Sequence, residues 1–253
     1  MDRPSRGFSA THEITRINTN KVQRNSSLTQ TAVLGDLGFG PSPKDPKSAG
    51  PDAVPSAQAP LHKRSQNNQM RNVIYAINIT VDGCVDHTKQ IGDEETHEYF
   101  TQLLREVDLL VFGRKTYQLM VPFWPEVAKS QSMTKASNEF ARTFDSINKV
   151  VFSRTLVTAE DKNTRIVRMN LRDEILKLKQ EQGKSILLGG VSIPSQLIEL
   201  GLVDEYRFVV GPIVAGEGRR LLEGLSLPEK LQLKLVESKI FESGCVALRY
   251  LKQ

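Results

Sequence analysis

Three short segments offer the small residues, and two of them also the cations, that an anion-binding turn requires. They are Gly113-Arg114-Lys115-Thr116, Ser153-Arg154 and Gly189-Gly190-Val191-Ser192. A residue without a side chain lets the backbone approach a ligand closely. N–H groups at a helix start, together with the helix dipole, favour negative charge. Arginine adds a planar fork that can hold a phosphate by two parallel hydrogen bonds. Each segment follows an apolar run: residues 108–112 (Asp-Leu-Leu-Val-Phe), 148–152 (Asn-Lys-Val-Val-Phe) and 186–188 (Ile-Leu-Leu). In an open α/β sheet, ligands sit beyond the carboxyl ends of the strands. One polyanion spanning the three turns is the chemistry that fits. The competing readings are solvated loop cations for the basic residues and a plain strand-to-helix turn for the glycine pair.

The elements that would position these turns follow from periodicity. Residues 186–188 are apolar throughout, as in a strand covered on both faces, and Gly189-Gly190 ends them. Ile193, Leu197, Ile198 and Leu200 then recur at helical spacing up to Gly201, and residues 206–210 form a further strand. Earlier, residues 72–79 read as a buried strand running into an Asp82-Gly83 turn. Asp93 caps a helix whose apolar face is Phe100, Leu103, Leu104 and Val107. Pro122 and Pro125 bracket Phe123-Trp124 as an aromatic loop. Helices are expected over 135–144 and 171–182, with a short strand over 165–168. Residues 231–241 and 245–251 alternate around Ser243-Gly244, a β-hairpin signature. The fold class is α/β: a mixed, mainly parallel sheet flanked by helices, with a C-terminal antiparallel hairpin.

Residues 1–69 are polar and rich in Pro, Ser, Asn and Gln, with little to bury. They read as a disordered basic leader, or as sequence upstream of a true start at Met70; residues 70–253 form the folded domain. The leader holds nine Lys/Arg against five Asp/Glu, so it carries four of the chain's five net positive charges. That removes the basis for a nucleic-acid partner of the folded part, which has no basic stripe interleaved with aromatics. Cys84 and Cys245 lack metal-type or redox spacing and suit free thiols in a reducing compartment. With no apolar run of membrane length and no secretory core, the expected location is cytoplasmic, away from any membrane. No metal site is expected. His87 and His97 stand alone and read as surface residues.

Taken as an ordered set, the motifs resemble the dihydrofolate reductase superfamily. They are Ala76-Ile77-Asn78 with Val81-Asp82-Gly83, then 111–117 (Val-Phe-Gly-Arg-Lys-Thr-Tyr), 151–154 (Val-Phe-Ser-Arg) and 188–190 (Leu-Gly-Gly). Gly201-Leu202-Val203-Asp204-Glu205, followed by Pro212 and Gly216-Glu217-Gly218, is closer to one branch. That branch comprises the C-terminal domain of the riboflavin-biosynthesis reductase and its stand-alone bacterial relatives. The resemblance covers residues 70–253 and implies NADPH as cofactor. Arg114, Lys115 and Thr116, after Gly113, would then contact phosphates, and Ser153-Arg154 the adenosine 2′-phosphate. Gly189, Gly190, Val191 and Ser192 would cradle the pyrophosphate.

The implied function is NADPH-dependent reduction of a small heterocyclic substrate of pyrimidine or pterin type, by a homodimer like its relatives. Ala76, Asn78, Asp82 and Trp124 are the candidates for the substrate end; no catalytic residue is assigned. A true dihydrofolate reductase and a non-catalytic nucleotide-binding protein are the alternatives. The former would need a carboxylate early in the first helix, where Asp93, Glu94 and Glu95 fall; each equally suits a helix N-terminus as a dipole-favoured charge.

Overall fold

The computed structural model describes residues 70–253; the expected disordered leader, 1–69, lies outside the described residues. In chain order the elements are β1 (Val73–Thr80), α1 (Glu94–Arg105), β2 (Val107–Gly113), α2 (Arg114–Met120), α3 (Trp124–Ser130) and α4 (Lys135–Ser146). They continue with β3 (Asn148–Phe152), β4 (Thr164–Val167), α5 (Leu171–Gln180), β5 (Ser185–Leu188), α6 (Ser192–Glu199), β6 (Glu205–Gly211), β7 (Leu233–Ile240) and β8 (Val246–Lys252). The strands form one sheet in the order β4-β3-β2-β5-β1-β6-β8-β7. Pairings from β4 to β6 are parallel, and β8 and β7 add antiparallel at the far side. This is the mixed, mainly parallel sheet that the apolar runs imply.

Both faces of the central strands are covered, which is why they carry uninterrupted apolar sequence. On one face Val73, Tyr75, Val111, Ile186 and Leu188 pack against Ile175 and Leu178 of α5 and Leu197 and Ile198 of α6. On the other, Ile74, Leu110, Phe112, Val151 and Leu187 meet Leu103 and Leu104 of α1, Tyr117 of α2 and Phe140 and Phe144 of α4. Side chains placed by sequence cap three of the helices. Asp93 accepts from the Thr96 N–H, Thr134 from that of Ser137, and Asn170 from those of Arg172 and Asp173.

Two local expectations differ from the structure. Val107 continues the apolar spacing of α1, yet the helix stops at Arg105 and Val107 opens β2. The Glu106 carboxylate between them is held by the Arg207 guanidinium on β6, 2.5 Å away. Phe123-Trp124 is not a loop: Trp124 begins α3, with Pro125 in its first turn. Proline is tolerated there because no intrahelical partner awaits its missing N–H. Gly201 does end α6, at a φ of 66°, and the hairpin turns at Gly244, whose N–H donates to the Phe241 carbonyl at 2.9 Å.

Candidate functional site

Strands β3, β2 and β5 are parallel neighbours, so the turns after Phe152, Phe112 and Leu188 emerge on one edge of the sheet. They also touch. A Cβ on Gly190, which has a φ of 80°, would fall 2.1 Å from Thr116 Oγ1 in the first turn of α2. One on Gly189 would fall 2.3 Å from the Phe112 ring, and one on Gly113 would lie 3.3 Å from Ile193 of α6. The glycine pair is therefore a packing requirement as well as an opening. Unlike α1, α4 and α5, helix α6 has no side-chain cap; its N-cap residue is Val191. Its first N–H groups are left without a side-chain acceptor on the edge where the three turns meet.

Next to this cradle, beyond the carboxyl ends of β3 and β4, lies a cavity of about 430 Å³. Phe152, Leu171, Ile193 and Leu200 give it apolar walls, and Ser153, Arg154, Arg168 and Arg172 stand at its polar margin. The Ser153 oxygen accepts from the N–H groups of Thr155 and Leu156, at 3.2 and 2.9 Å, which leaves its hydroxyl proton to donate. Arg168 is steadied by the Leu156 carbonyl at 2.7 Å. Arg168 and Arg172 drew no notice in the sequence, because neither lies in a glycine or serine turn.

The two ends of the sheet differ in how far their cations are paired. At the amino ends of the strands, Arg71 pairs with Asp108, Lys149 with Asp161, Lys179 with Asp204, and Arg207 with Glu106 and Glu205. At the carboxyl edge, Arg114, Lys115, Arg154, Arg168, Arg172 and Arg219 make no ion pair among the described residues. Arg114 has only the Gln118 amide oxygen, at 3.1 Å. An unpaired run of cations around a glycine cradle can hold an elongated polyanion with one apolar group.

The four candidates for the substrate end occupy different settings. Ala76 is buried among the side chains under α1 and α4. Asn78, two residues on and half-buried, has its amide oxygen enclosed without a hydrogen-bond partner among the described residues. Trp124 stacks edge-on with Phe140 and His97, at centroid distances of 4.6 and 5.7 Å. His97 is thus half-buried in an aromatic cluster rather than a surface residue, and its Nδ1 lies 2.8 Å from the Asp93 carbonyl. Asp82 turns toward its own protein. It accepts from the Thr80 hydroxyl, the Arg220 guanidinium and the N–H groups of Ala215 and Gly216, at 3.0 and 2.9 Å for the last two. These bonds hold its carboxyl well below the usual carboxylate range. Of the acids at the start of α1, Asp93 caps the helix through Oδ1 while its Oδ2 is enclosed without a hydrogen-bond partner among the described residues, and Glu95 accepts from the Glu242 N–H in the hairpin turn at 2.5 Å.

A mainly parallel α/β sheet with a glycine cradle and unpaired cations at its carboxyl edge is an arrangement suited to anion binding, and sequence comparison makes the assignment narrower. The RibD C-terminal domain family matches residues 71–247, and the chain belongs to that family, a branch of oxidoreductases. It is 31% identical over 190 residues to the uncharacterised protein YyaP of Bacillus subtilis (strain 168), covering 74% of this chain and 97% of that one. The fold is shared with a protein assigned to riboflavin biosynthesis in Shewanella sp. PV-4, at a TM-score of 0.55 and 19% identity over 72% of this chain and 99% of the other. It is shared also with the deaminase/5-amino-6-(5-phosphoribosylamino)uracil reductase of Thermotoga maritima, at 0.54 and 14%, over 74% of this chain and 58% of that one. The resemblance read from the motifs therefore holds at the level of family and fold.

Proposed function

We propose that this chain is an NADPH-dependent reductase of a small heterocyclic substrate, of the riboflavin-biosynthesis type. The observation that carries the reading is the meeting of the Gly189-Gly190 cradle with the arginine-rimmed cavity on one edge of the sheet. The residues fit the cofactor. The walls of Phe152, Leu171, Ile193 and Leu200 suit an adenine, and Arg154, Arg168 and Arg172 at the rim suit a ribose phosphate. Thr116, Gly190 and the uncapped start of α6 suit the pyrophosphate. When bound, the cofactor supplies a hydride; the protein supplies placement and electrostatics.

The substrate end lies toward Asn78, next to Gly189-Gly190 through the neighbouring strands β1 and β5. An enclosed amide oxygen without a donor is costly unless a ligand supplies one, so a ring N–H or amino group of the substrate would complete Asn78. Ala76 leaves room beside it, and Trp124 closes the aromatic side. Asp82 acts at one remove, by fixing the loop over 215–220. Membership of the RibD C-terminal domain family supports a pyrimidine-type substrate over dihydrofolate.

The test is a turnover screen of the full chain with NADPH against aminopyrimidine and pterin substrates, read as loss of nicotinamide absorbance. Oxidation with an aminopyrimidine and none with dihydrofolate is expected. NADPH binding without turnover on any member of the panel would favour a non-catalytic nucleotide-binding protein instead.

A further inference from the structure

The segment after β6 carries two adjacent arginines with opposite fates. Arg220 is spent on Asp82. Arg219 is exposed and makes no ion pair among the described residues. The acids near it in sequence are taken: Glu217 pairs with Lys89 at 3.2 Å, and Glu223 accepts from the Arg220 N–H at 3.3 Å. What the Arg219 guanidinium does meet is a neutral oxygen, Ser192 Oγ, 3.4 Å from both terminal nitrogens. Ser192 opens α6, directly after the glycine cradle.

The backbone that delivers this side chain is clamped. Val85 N–H donates to the Arg219 carbonyl at 2.9 Å and Leu221 N–H to that of Gly83 at 2.8 Å, around an antiparallel bridge between Cys84 and Arg220. Gly218 presses on Cys84 so closely that a Cβ there would lie 2.8 Å from its sulfur. Tyr75 of β1 is fully buried, with a hydroxyl that has no hydrogen-bond partner among the described residues. Burial pushes the Tyr75 phenol up, and the Arg219 charge draws it partly back. A rigidly anchored cation with no anion among the described residues, set against the residue that opens α6, is an incomplete binding site.

We infer that Arg219, with Ser192, is a binding residue for a phosphoryl group at the start of α6, directly after the glycine cradle. The group is either the pyrophosphate of the dinucleotide or a phosphate carried by the substrate. Only this choice of carrier rests on the reductase reading. A charge-assisted contact of this kind is worth roughly 10- to 150-fold in affinity.

Calorimetry on the full chain, wild type against Arg219→Gln and Arg219→Lys, separates the cases with four probes: NADPH, NADH, inorganic pyrophosphate and ribose 5-phosphate. Arg219→Gln is expected to weaken at least one probe about tenfold or more, with partial recovery in Arg219→Lys and an unchanged melting temperature. Parallel losses for NADPH, NADH and pyrophosphate assign the site to the dinucleotide. Loss confined to ribose 5-phosphate assigns it to the substrate. Loss of pyrophosphate or ribose 5-phosphate in a protein whose wild type binds no dinucleotide would keep the inference and end the reductase reading. Affinities unchanged for all four probes would overturn the inference.

Discussion

At the scale of single residues, the site is built from absences as much as from groups. Gly190 holds a φ of 80° and stands where any Cβ would meet Thr116. Thr116 is short and belongs to the first turn of α2, so it cannot swing away as a long side chain would. Gly190→Val should therefore cost on the order of 1–3 kcal/mol of stability from backbone strain alone. It should also abolish binding of NADPH and NADH alike, since both share the pyrophosphate. Thermal melts and titrations of the same sample check the two effects; a variant that binds as the wild type does would remove the cradle from the account. Asn78 is the second residue-scale test. If its amide oxygen receives a substrate N–H, Asn78→Leu should raise KM for the turned-over heterocycle by about tenfold or more and leave NADPH affinity unchanged. An unaltered KM would move the substrate end elsewhere.

At the scale of elements, the loop after β6 depends on one carboxylate. Asp82 binds Thr80, Ala215, Gly216 and Arg220, and its folded pKa is depressed. A depressed carboxyl contributes stability that is present above the unfolded value of about 4 and is lost as the pH falls below it. The stability gap between wild type and Asp82→Asn should thus be full at neutral pH and close as the solution is acidified below about pH 4. Urea melts along that series read it; a gap independent of pH would show that the clamp is not ionic. The same clamp marks the limit of what the sequence discloses. Strand-then-glycine patterns made β2, β3, β5 and their turns legible, because apolar runs and Gly pairs are local signals. Asp82 could be read as a turn residue, but its partner Arg220 is separated from it by most of the domain. Arg168, Arg172 and Arg219 carried no local mark either, and only the assembled edge shows that they lack partners. Val107 and Trp124 were misplaced for a related reason. Helical and strand spacing overlap at the last turn of α1, and a proline is ambiguous between a loop and the start of a helix.

At the scale of the whole molecule, the sheet is asymmetric in charge and in cover. Most cations at its amino ends are paired, whereas the carboxyl ends carry several unpaired ones beside the Arg220–Asp82 pair, so an anionic ligand is drawn to that edge of the strands. Its far side ends in β7, which among the described residues pairs only with β8 and exposes Leu235, Val236 and Ile240, the last at 77%. An apolar strand with an open edge is a hazard unless something covers it. A second copy of this chain is the proposed cover, in keeping with the expected homodimer. Light scattering on the full chain should return a dimer at micromolar concentration, and Ile240→Glu should shift it toward monomer. A wild-type monomer under those conditions would leave β7 without a role.

The central claim is that the edge formed by β3, β2 and β5 binds a phosphorylated dinucleotide, with Arg154 on its 2′-phosphate. Calorimetric titration of wild type and Arg154→Ala with NADPH and NADH tests it most directly. Arg154 lines the cavity beside Ser153 and forms no ion pair among the described residues, so its removal breaks no internal bridge. A lost charge-assisted contact of about 1.5–3 kcal/mol corresponds to roughly 10- to 150-fold. The account predicts that loss for NADPH and almost none for NADH. Equal losses for the two cofactors, or no binding of either by the wild type, would contradict it.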